Sequence, residues 1–255
     1  MLDKQKVIGA AFALPGSISL HTGFLTKSIF LEWPDFPIKT RLFERLGCPV
    51  CVENIDDALC MEFLDNYKES ERNGLNLFLV HIAAGMGASV AIGGQIVQRL
   101  ADEGWINDIV VTKEDTAKSE KVKLRDLVSG QAVLDELTTA ADGGWPTAEN
   151  FTTQIEHVIN LLNDRNPHVH DSLFSAGHTL GINLVPLTSA CAPESIVLAG
   201  PVANIAAYAE GVKEGYLQAA QAIDIRPSKI QVSSTSYLDA SECIALREFF
   251  FSGAY

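Results

Sequence analysis

The chain has 255 residues, of which 47% are hydrophobic and 20% are charged. This composition is typical of a folded globular protein and excludes collagen-like, disordered and disulfide-scaffold classes. The formal net charge of −13 argues against binding of nucleic acid or anionic lipid by this chain, because like charges repel. Its five cysteines are an odd number, with no secretory signal and no apolar run of membrane-spanning length, which predicts reduced thiols and a cytoplasmic location.

The first third of the chain predicts strands and helices separated by turns. An apolar run over 7–14 predicts a fully buried strand that ends at the turn formed by Pro15 and Gly16. The next predicted elements are a loop over 17–35, a helix over 38–46 that Gly47 ends, a strand over 48–54 and a helix over 56–72.

The remainder alternates between strands and helices. The predicted elements are a strand over 76–82, a Gly-rich turn, a strand from 90 to 92, a hairpin signal at 93–94, an exposed charged loop over 112–123, helices within 124–190, a strand over 195–202, a helix over 203–221, a strand over 229–234 and a helix over 239–250. Strands that alternate with helices and end in Gly-rich turns predict an α/β fold.

Three glycines follow predicted strands and are candidates for binding phosphate. Gly85 and Gly87 lie in the turn after 76–82, and Gly200 follows the strand that begins at 195. Glycine allows backbone N–H groups to approach an anion closely. The alternative for Gly85 and Gly87 is a tight hairpin with small residues at a packed interface.

A polar cluster follows the strand over 48–54. A carboxylate there, such as that of Asp56, would be placed to act as a general base on a hydroxyl. The alternative is helix capping, in which Asn54 is the N-cap and the acidic side chains of Asp56 and Asp57 stabilise the first turn.

A metal site is not expected. Cys48 and Cys51 have the spacing of half a zinc site, but the other three cysteines are scattered singly. The histidines at 168, 170 and 178 are interpreted as structural, because no pattern of carboxylates accompanies them.

Five segments, in the same order, resemble the ROK family (repressors, open reading frames, sugar kinases): IGAAFALPGSIS, GCPVCVEN, HIAAGMGASVAIGGQI, LRDLVSGQAVL and SIVLAGPVA. The resemblance implies an actin-like ATPase (ribonuclease H-like) fold with two lobes. Residues 1–75 would be the remainder of the N-terminal lobe, and 76–255 the C-terminal lobe with a helical insert at 124–190. The family's opening D-x-G-G-T strand has no counterpart in this sequence, so the N-terminal lobe is expected to be incomplete.

The departures from the family pattern bear on activity. Family kinases carry Asp as general base directly after the Asn that corresponds to Asn54, whereas this chain has Ile55; a shift by one residue would bring Asp56 there. The threonine of the phosphate motif G-T-G becomes Ala84. In the family, the segment G-E-x-G-H supplies a sugar-binding Glu and a His linked to both sugar and zinc. Here the segment reads GWINDI over 104–109, neither residue is present in register, and Glu103 is the nearest acid. The zinc motif expected over 113–124 has no cysteine.

The resemblance and these departures together predict the sensor domain of a ROK-type transcriptional regulator without kinase activity. A sugar or sugar derivative would bind in the inter-lobe cleft at Gly16, Asn54 and Glu103, with Gly85, Gly87 and Gly200 on the phosphate side. We expect no metal or cofactor, a homodimer, no membrane contact, and DNA contacts only through a segment outside this chain.

Two other functions remain open. The first is an ATP-dependent sugar kinase of the glucokinase or N-acetylhexosamine kinase type, which would use ATP and Mg²⁺ with Asp56 as base. The second is a structural pseudo-enzyme that dimerises through its helical C-terminal half.

Overall fold

The computed structural model describes residues 7–19, 22–27, 35–97, 106, 108–115, 118–141, 145 and 150–251. The strands in this part of the chain are β1 (Ala10–Leu14), β2 (Ser17–Ile18), β3 (Leu25–Lys27), β4 (Val50–Asn54), β5 (Leu77–Ile82), β6 (Met86–Ile92), β7 (Gln95–Ile96), β8 (Val110–Asp115), β9 (Lys118–Lys123), β10 (Ser195–Ala199) and β11 (Lys229–Val232). The helices are α1 (Ile38–Leu46), α2 (Ile55–Asp65), α3 (Glu69–Arg72), α4 (Arg125–Val128), α5 (Gly130–Ala140), α6 (Phe151–Asn163), α7 (Pro167–Thr188), α8 (Ala206–Ala222) and α9 (Tyr237–Leu246), with a π-helical segment at Arg247–Phe251. Within the same residues, no helix combines the length and the apolar composition of a membrane span.

The predicted α/β fold is confirmed, and the chain divides into two compact units. Unit 1 comprises Met1–Leu75, Ser89–Gly104 and Thr235–Tyr255, and unit 2 comprises Asn76–Ala88 and Trp105–Ser234. The predicted second lobe, 76–255, differs from unit 2 because helix α9 packs on α2 and β1, which places the C-terminal segment in unit 1.

Unit 1 has a parallel pair of strands, β1 and β4, at its centre. Their register runs from Ala10 opposite Val50 to Leu14 opposite Asn54, so that both strands end at the same edge. Helix α1 ends at Gly47, as predicted, because the left-handed φ of +69° lets its N–H bond the carbonyl of Phe43. The core beneath consists of Leu25, Ile38, Val50 and Val52, with Phe12, Leu14, Ile18, Phe36, Leu42 and Leu46 packed against it.

Unit 2 contains a parallel sheet in which β10 lies between β5 and β11. Every residue of β5 and β10 is buried, and both sequences are predominantly apolar, as is typical of parallel strands covered on both faces. The register places Ala199, the last residue of β10, opposite His81 of β5. The turns that follow these two strands therefore lie side by side at the carboxyl edge of the sheet.

Helices α7 and α8 pack closely on one another through four glycines: Gly177, Gly181, Gly211 and Gly215. A Cβ atom built at Gly181 would lie 2.2 Å from the backbone oxygen of Val212. No side chain fits at that distance, so glycine sets how closely the two helices approach.

Four predicted elements are corrected by the structure. Residues 112–123 are not a loop but form most of the hairpin of β8 and β9. The two arms contain the strand-forming residues Val110, Val111 and Val122, and their charged positions pair in antiparallel register. Strand β1 is half-buried rather than fully buried, since β4 is its only partner strand among the described residues. The loop predicted over 17–35 contains the short strands β2 and β3, and the helix predicted over 56–72 is divided into α2 and α3 by a break at 66–68.

Candidate functional site

Two of the residues predicted to bind sugar, Asn54 and Gly16, are in contact within unit 1. Asn54 is the last residue of β4 and the N-cap of α2. Its Oδ1 accepts hydrogen bonds from the backbone N–H groups of Asp56 (2.8 Å) and Asp57 (3.3 Å), while its Nδ2 donates to the carbonyl of Gly16 (2.7 Å). Gly16 has a φ of +122°, which turns the chain back directly after β1.

Parallel pairing brings these two residues together. Leu14 lies opposite Asn54 in the register, so the turn after β1 and the start of α2 meet at the carboxyl edge of this strand pair. Glu53 lies next to this contact, and its Oε1 accepts from the N–H of Asn54 at 2.9 Å. The arrangement fixes the Asn54 side chain in one orientation, since both its oxygen and its nitrogen are bonded.

The residue directly after Asn54 is apolar and buried. Ile55 is the first residue of α2 and is 7% exposed. Asp56 is equally buried. Burial, and after it the negative charge of Asp56, raises the pKa of Tyr237 on helix α9 to about 12. Capping of α2, the alternative to the general base, is present in the structure.

The Gly-rich turn after β5 lies against the N-terminus of helix α5 in unit 2. The N–H of Ala83 donates to the carbonyl of Gly85, and the N–H groups of Gly130 and Gln131 donate to the carbonyls of Ala83 (2.9 Å) and Ala84 (3.0 Å). The next N–H of α5 donates to the side chain of its N-cap serine. The first three donors of this helix are thus bonded within the protein, although a helix N-terminus is otherwise a favourable position for an anion.

Gly87 and Gly200 lie in different settings, one inside a buried strand and the other in a tight turn. Gly87 lies inside β6 and is buried, so it is not part of the turn as predicted. Gly200 has a φ of +99°, and a Cβ atom there would lie 2.5 Å from the carbonyl oxygen of Ile82. The turn after β10 is further held by the N–H of Val202, which donates to Ile82, and by Nδ2 of Asn204, which donates to Gly200. Close packing on β5 accounts for Gly200.

A pocket of about 470 Å³ lies beside this turn, entirely within unit 2. A volume of this size is typical of small-molecule sites. Its walls come from α6, α7, the turn after β10 and the start of α8: Ile159, Leu162, Asn163, His170, Pro201, Asn204, Ile205, Ala206, Ala207 and Glu210. His170 is interpreted from the sequence as a structural histidine, and Pro201 lies in the segment SIVLAGPVA, but no sequence pattern joins the lining residues into one site, because they come from separate elements.

The cysteines and the remaining candidates do not extend the site. Burial raises the pKa of Cys60 and Cys243 to about 12, and that of Cys51 to about 11, so these thiols are protonated at neutral pH. The residues that the structure describes contain no group of three or more His, Cys, Asp and Glu suited to a metal ion. Glu103 lies outside the described residues.

Comparison with known proteins gives one family. The ROK family model matches residues 2–241. The glucokinase of Halalkalibacterium halodurans is 26% identical over 219 residues, which are 79% of this chain and 64% of that protein. The chain thus spans less than two thirds of the length of this curated relative.

Solved structures of both kinases and regulators share the fold. A ROK-family glucokinase from Streptomyces griseus, solved with glucose and AMPPNP, matches 91% of this chain and 78% of its own with a TM-score of 0.74 at 15% identity. A ROK-family transcriptional regulator, a homologue of the E. coli MLC protein, matches 93% of this chain and 61% of its own with a TM-score of 0.69 at 18% identity.

Proposed function

The chain belongs to the ROK family and has the actin-like ATPase fold of that family, and from this premise we propose that it is a sugar-sensing domain without kinase activity. Its ligand is a sugar or sugar derivative that binds at Gly16 and Asn54, and it acts in a transcriptional regulator whose DNA contacts lie in another segment. We propose no metal and no cofactor for this function.

One observation carries the proposal, namely the buried Ile55 directly after Asn54. The resemblance to family kinases implies a general base at that position, and an isoleucine side chain can neither accept a proton nor bond a hydroxyl. The alignment on Asn54 is supported by the start of α2, because Asn54 is the N-cap through two hydrogen bonds and Ile55 is the first helical residue.

The experiment combines a ligand screen with an activity assay on the full chain. In a thermal-shift screen of hexoses and N-acetylhexosamines, a cognate sugar at 100 times its Kd should raise Tm by roughly 5–10 °C. Replacement of Asn54 by Ser, which keeps a cap acceptor, should abolish that shift, whereas Asn150→Ser, a change at the N-cap of α6, should preserve it.

ADP release in the presence of Mg-ATP and the same sugars should stay at the level of the control without protein. Sugar-dependent ADP release by the wild-type chain would contradict the sensor function and support the kinase. A screen in which no sugar raises Tm would support the purely structural alternative instead.

The pocket beside Gly200 favours a second function, the ATP-dependent sugar kinase. Its volume of about 470 Å³ suits a nucleoside, and its walls carry both apolar and polar side chains. If the kinase function is correct, Mg-ATP should raise Tm and Ala206→Trp, at an exposed position in the pocket wall, should remove that shift. The matched control is Ala222→Trp, at the exposed end of the same helix. Absence of any shift with Mg-ATP would exclude this function.

A further inference from the structure

The family resemblance implies a zinc ion near the start of β8, and the residues present there do not fit one. Structural zinc is held by cysteine sulfur and histidine nitrogen, whereas residues 106–125 contain neither residue type. Counted along G-E-x-G-H, the family's zinc-linked histidine corresponds to Asp108. Oδ1 of Asp108 lies 2.7 Å from Nζ of Lys123 and 3.9 Å from Nη1 of Arg125. Two positive groups beside this carboxylate oppose the binding of a cation.

We propose that the ion pair between Asp108 and Lys123, with Arg125 as a weaker third member, takes the place of the zinc ion in fastening this hairpin. This inference is independent of the function proposed above, because it concerns only how unit 2 is held together.

The position of the pair in the fold gives it this role. Asp108 precedes β8 by two residues, and Lys123 is the last residue of β9, so the bond joins the two arms at the open end of the hairpin. There the N–H of Leu124 donates to the carbonyl of Ile109 at 2.7 Å, and Leu124 is fully buried. The ion pair thus closes the hairpin at the point where it enters the core.

The same contact orients the helices that follow. Arg125 begins α4, which packs on β9 and leads through Ser129 into α5. The N-terminus of α5 bonds the turn after β5, as described above for Gly130. The ion pair of Asp108 with Lys123 and Arg125 therefore positions the N-terminus of α5, which holds the Gly-rich turn, without a metal ion.

The side chains of the pair are 35% and 42% exposed, so its contribution is modest and depends on salt. Asp108→Ala should lower Tm by roughly 1–3 °C at low ionic strength and less at high ionic strength. It should also accelerate hydrogen–deuterium exchange in peptides that cover 109–124, because the hairpin base opens more often.

The matched control is Asp126→Ala, since Asp126 also lies beside Arg125, at 3.4 Å, but its side chain is 58% exposed and it is not at the hairpin base. This variant should leave exchange over 109–124 unchanged. Lys123→Ala should reproduce the effect of Asp108→Ala, and the double variant should lose little more than either single one, because both remove the same interaction.

Metal analysis and chelation complete the test. The purified chain should contain far less than one zinc per molecule, and a strong zinc chelator should change neither Tm nor exchange over 109–124. Stoichiometric zinc, or a lower Tm after chelation, would overturn the proposal. So would equal exchange over 109–124 in the wild type, Asp108→Ala and Lys123→Ala.

Discussion

Replacement of Asn54 by Ala tests whether this residue joins two elements of unit 1. The substitution removes the side-chain acceptor for the N–H groups of Asp56 and Asp57, a loss of capping that costs about 1 kcal/mol. It also removes the donor to the carbonyl of Gly16, and a hydrogen bond of this kind contributes about 1 kcal/mol. The expected decrease in the free energy of unfolding is therefore about 2 kcal/mol, or roughly 4–8 °C in Tm.

The assay is urea denaturation followed by far-ultraviolet circular dichroism, with two comparison variants. Asn54→Ser keeps an acceptor for the first turn of α2 but does not reach Gly16, so it should lose only about 1 kcal/mol. Asn150→Ala removes the N-cap of α6, whose side chain accepts from the N–H of Thr153 at 3.0 Å, and should also lose about 1 kcal/mol.

The difference between Asn54→Ala and Asn150→Ala thus measures the contact with Gly16. If Asn54→Ala costs no more than Asn150→Ala, the contact does not hold the turn after β1, and the parallel register does not assemble a site there. If the two variants differ by about 1 kcal/mol, the contact is an independent contribution to stability.

Three further predictions concern the cores of the two units. Gly181→Ala forces helices α7 and α8 apart and should cost about 3 kcal/mol in urea denaturation, whereas Gly74→Ala, with open space around its Cβ, should change stability by less than about 0.5 kcal/mol. Tyr208→Phe removes the buried hydrogen bond of 2.6 Å to the carbonyl of Val128 and should cost about 1–2 kcal/mol by the same measurement. Burial raises the pKa of Cys60 from 9.0 to about 12, so its thiol stays neutral in the folded chain at a pH where it ionises in the unfolded chain. The resulting stabilisation is complete below pH 9 and is lost as the pH rises toward 12, and the free energy of unfolding falls by up to about 1.4 kcal/mol per pH unit. Cys60→Ala should flatten this decline when urea midpoints are compared across that range, and an unchanged slope would contradict it.

Local sequence patterns predict two features of unit 1 near Asn54, the end of helix α1 and the start of helix α2. Helix α1 and its end at Gly47 follow from the spacing of apolar residues and from a glycine that adopts a left-handed φ. The cap at Asn54 follows from an amide side chain before a helix with acids in its first turn. These features depend on neighbours within about four residues, so the sequence contains all of the information that they need.

The role of a glycine such as Gly200 cannot be predicted from its neighbours in the sequence. The sequence admits both anion binding and close packing for Gly200, because both require a residue without a Cβ atom. The structure shows the carbonyl of Ile82 where that Cβ would be, from a strand more than a hundred residues earlier in the chain. Similarly, the charged residues of 112–123 predicted a loop, and only pairing between the two arms makes it a hairpin.

Residue type and order along the chain are sufficient to predict the α/β class, to reveal the resemblance to the ROK family that the family model confirms, and to show that an isoleucine, Ile55, directly follows Asn54. Three contacts become visible only in the folded chain: Asn54 with Gly16, the first N–H groups of α5 with the turn after β5, and Asp108 with Lys123. The physical reason is distance along the chain. Contacts between residues far apart in sequence depend on how strands and helices pack, and no local pattern of side chains specifies that packing.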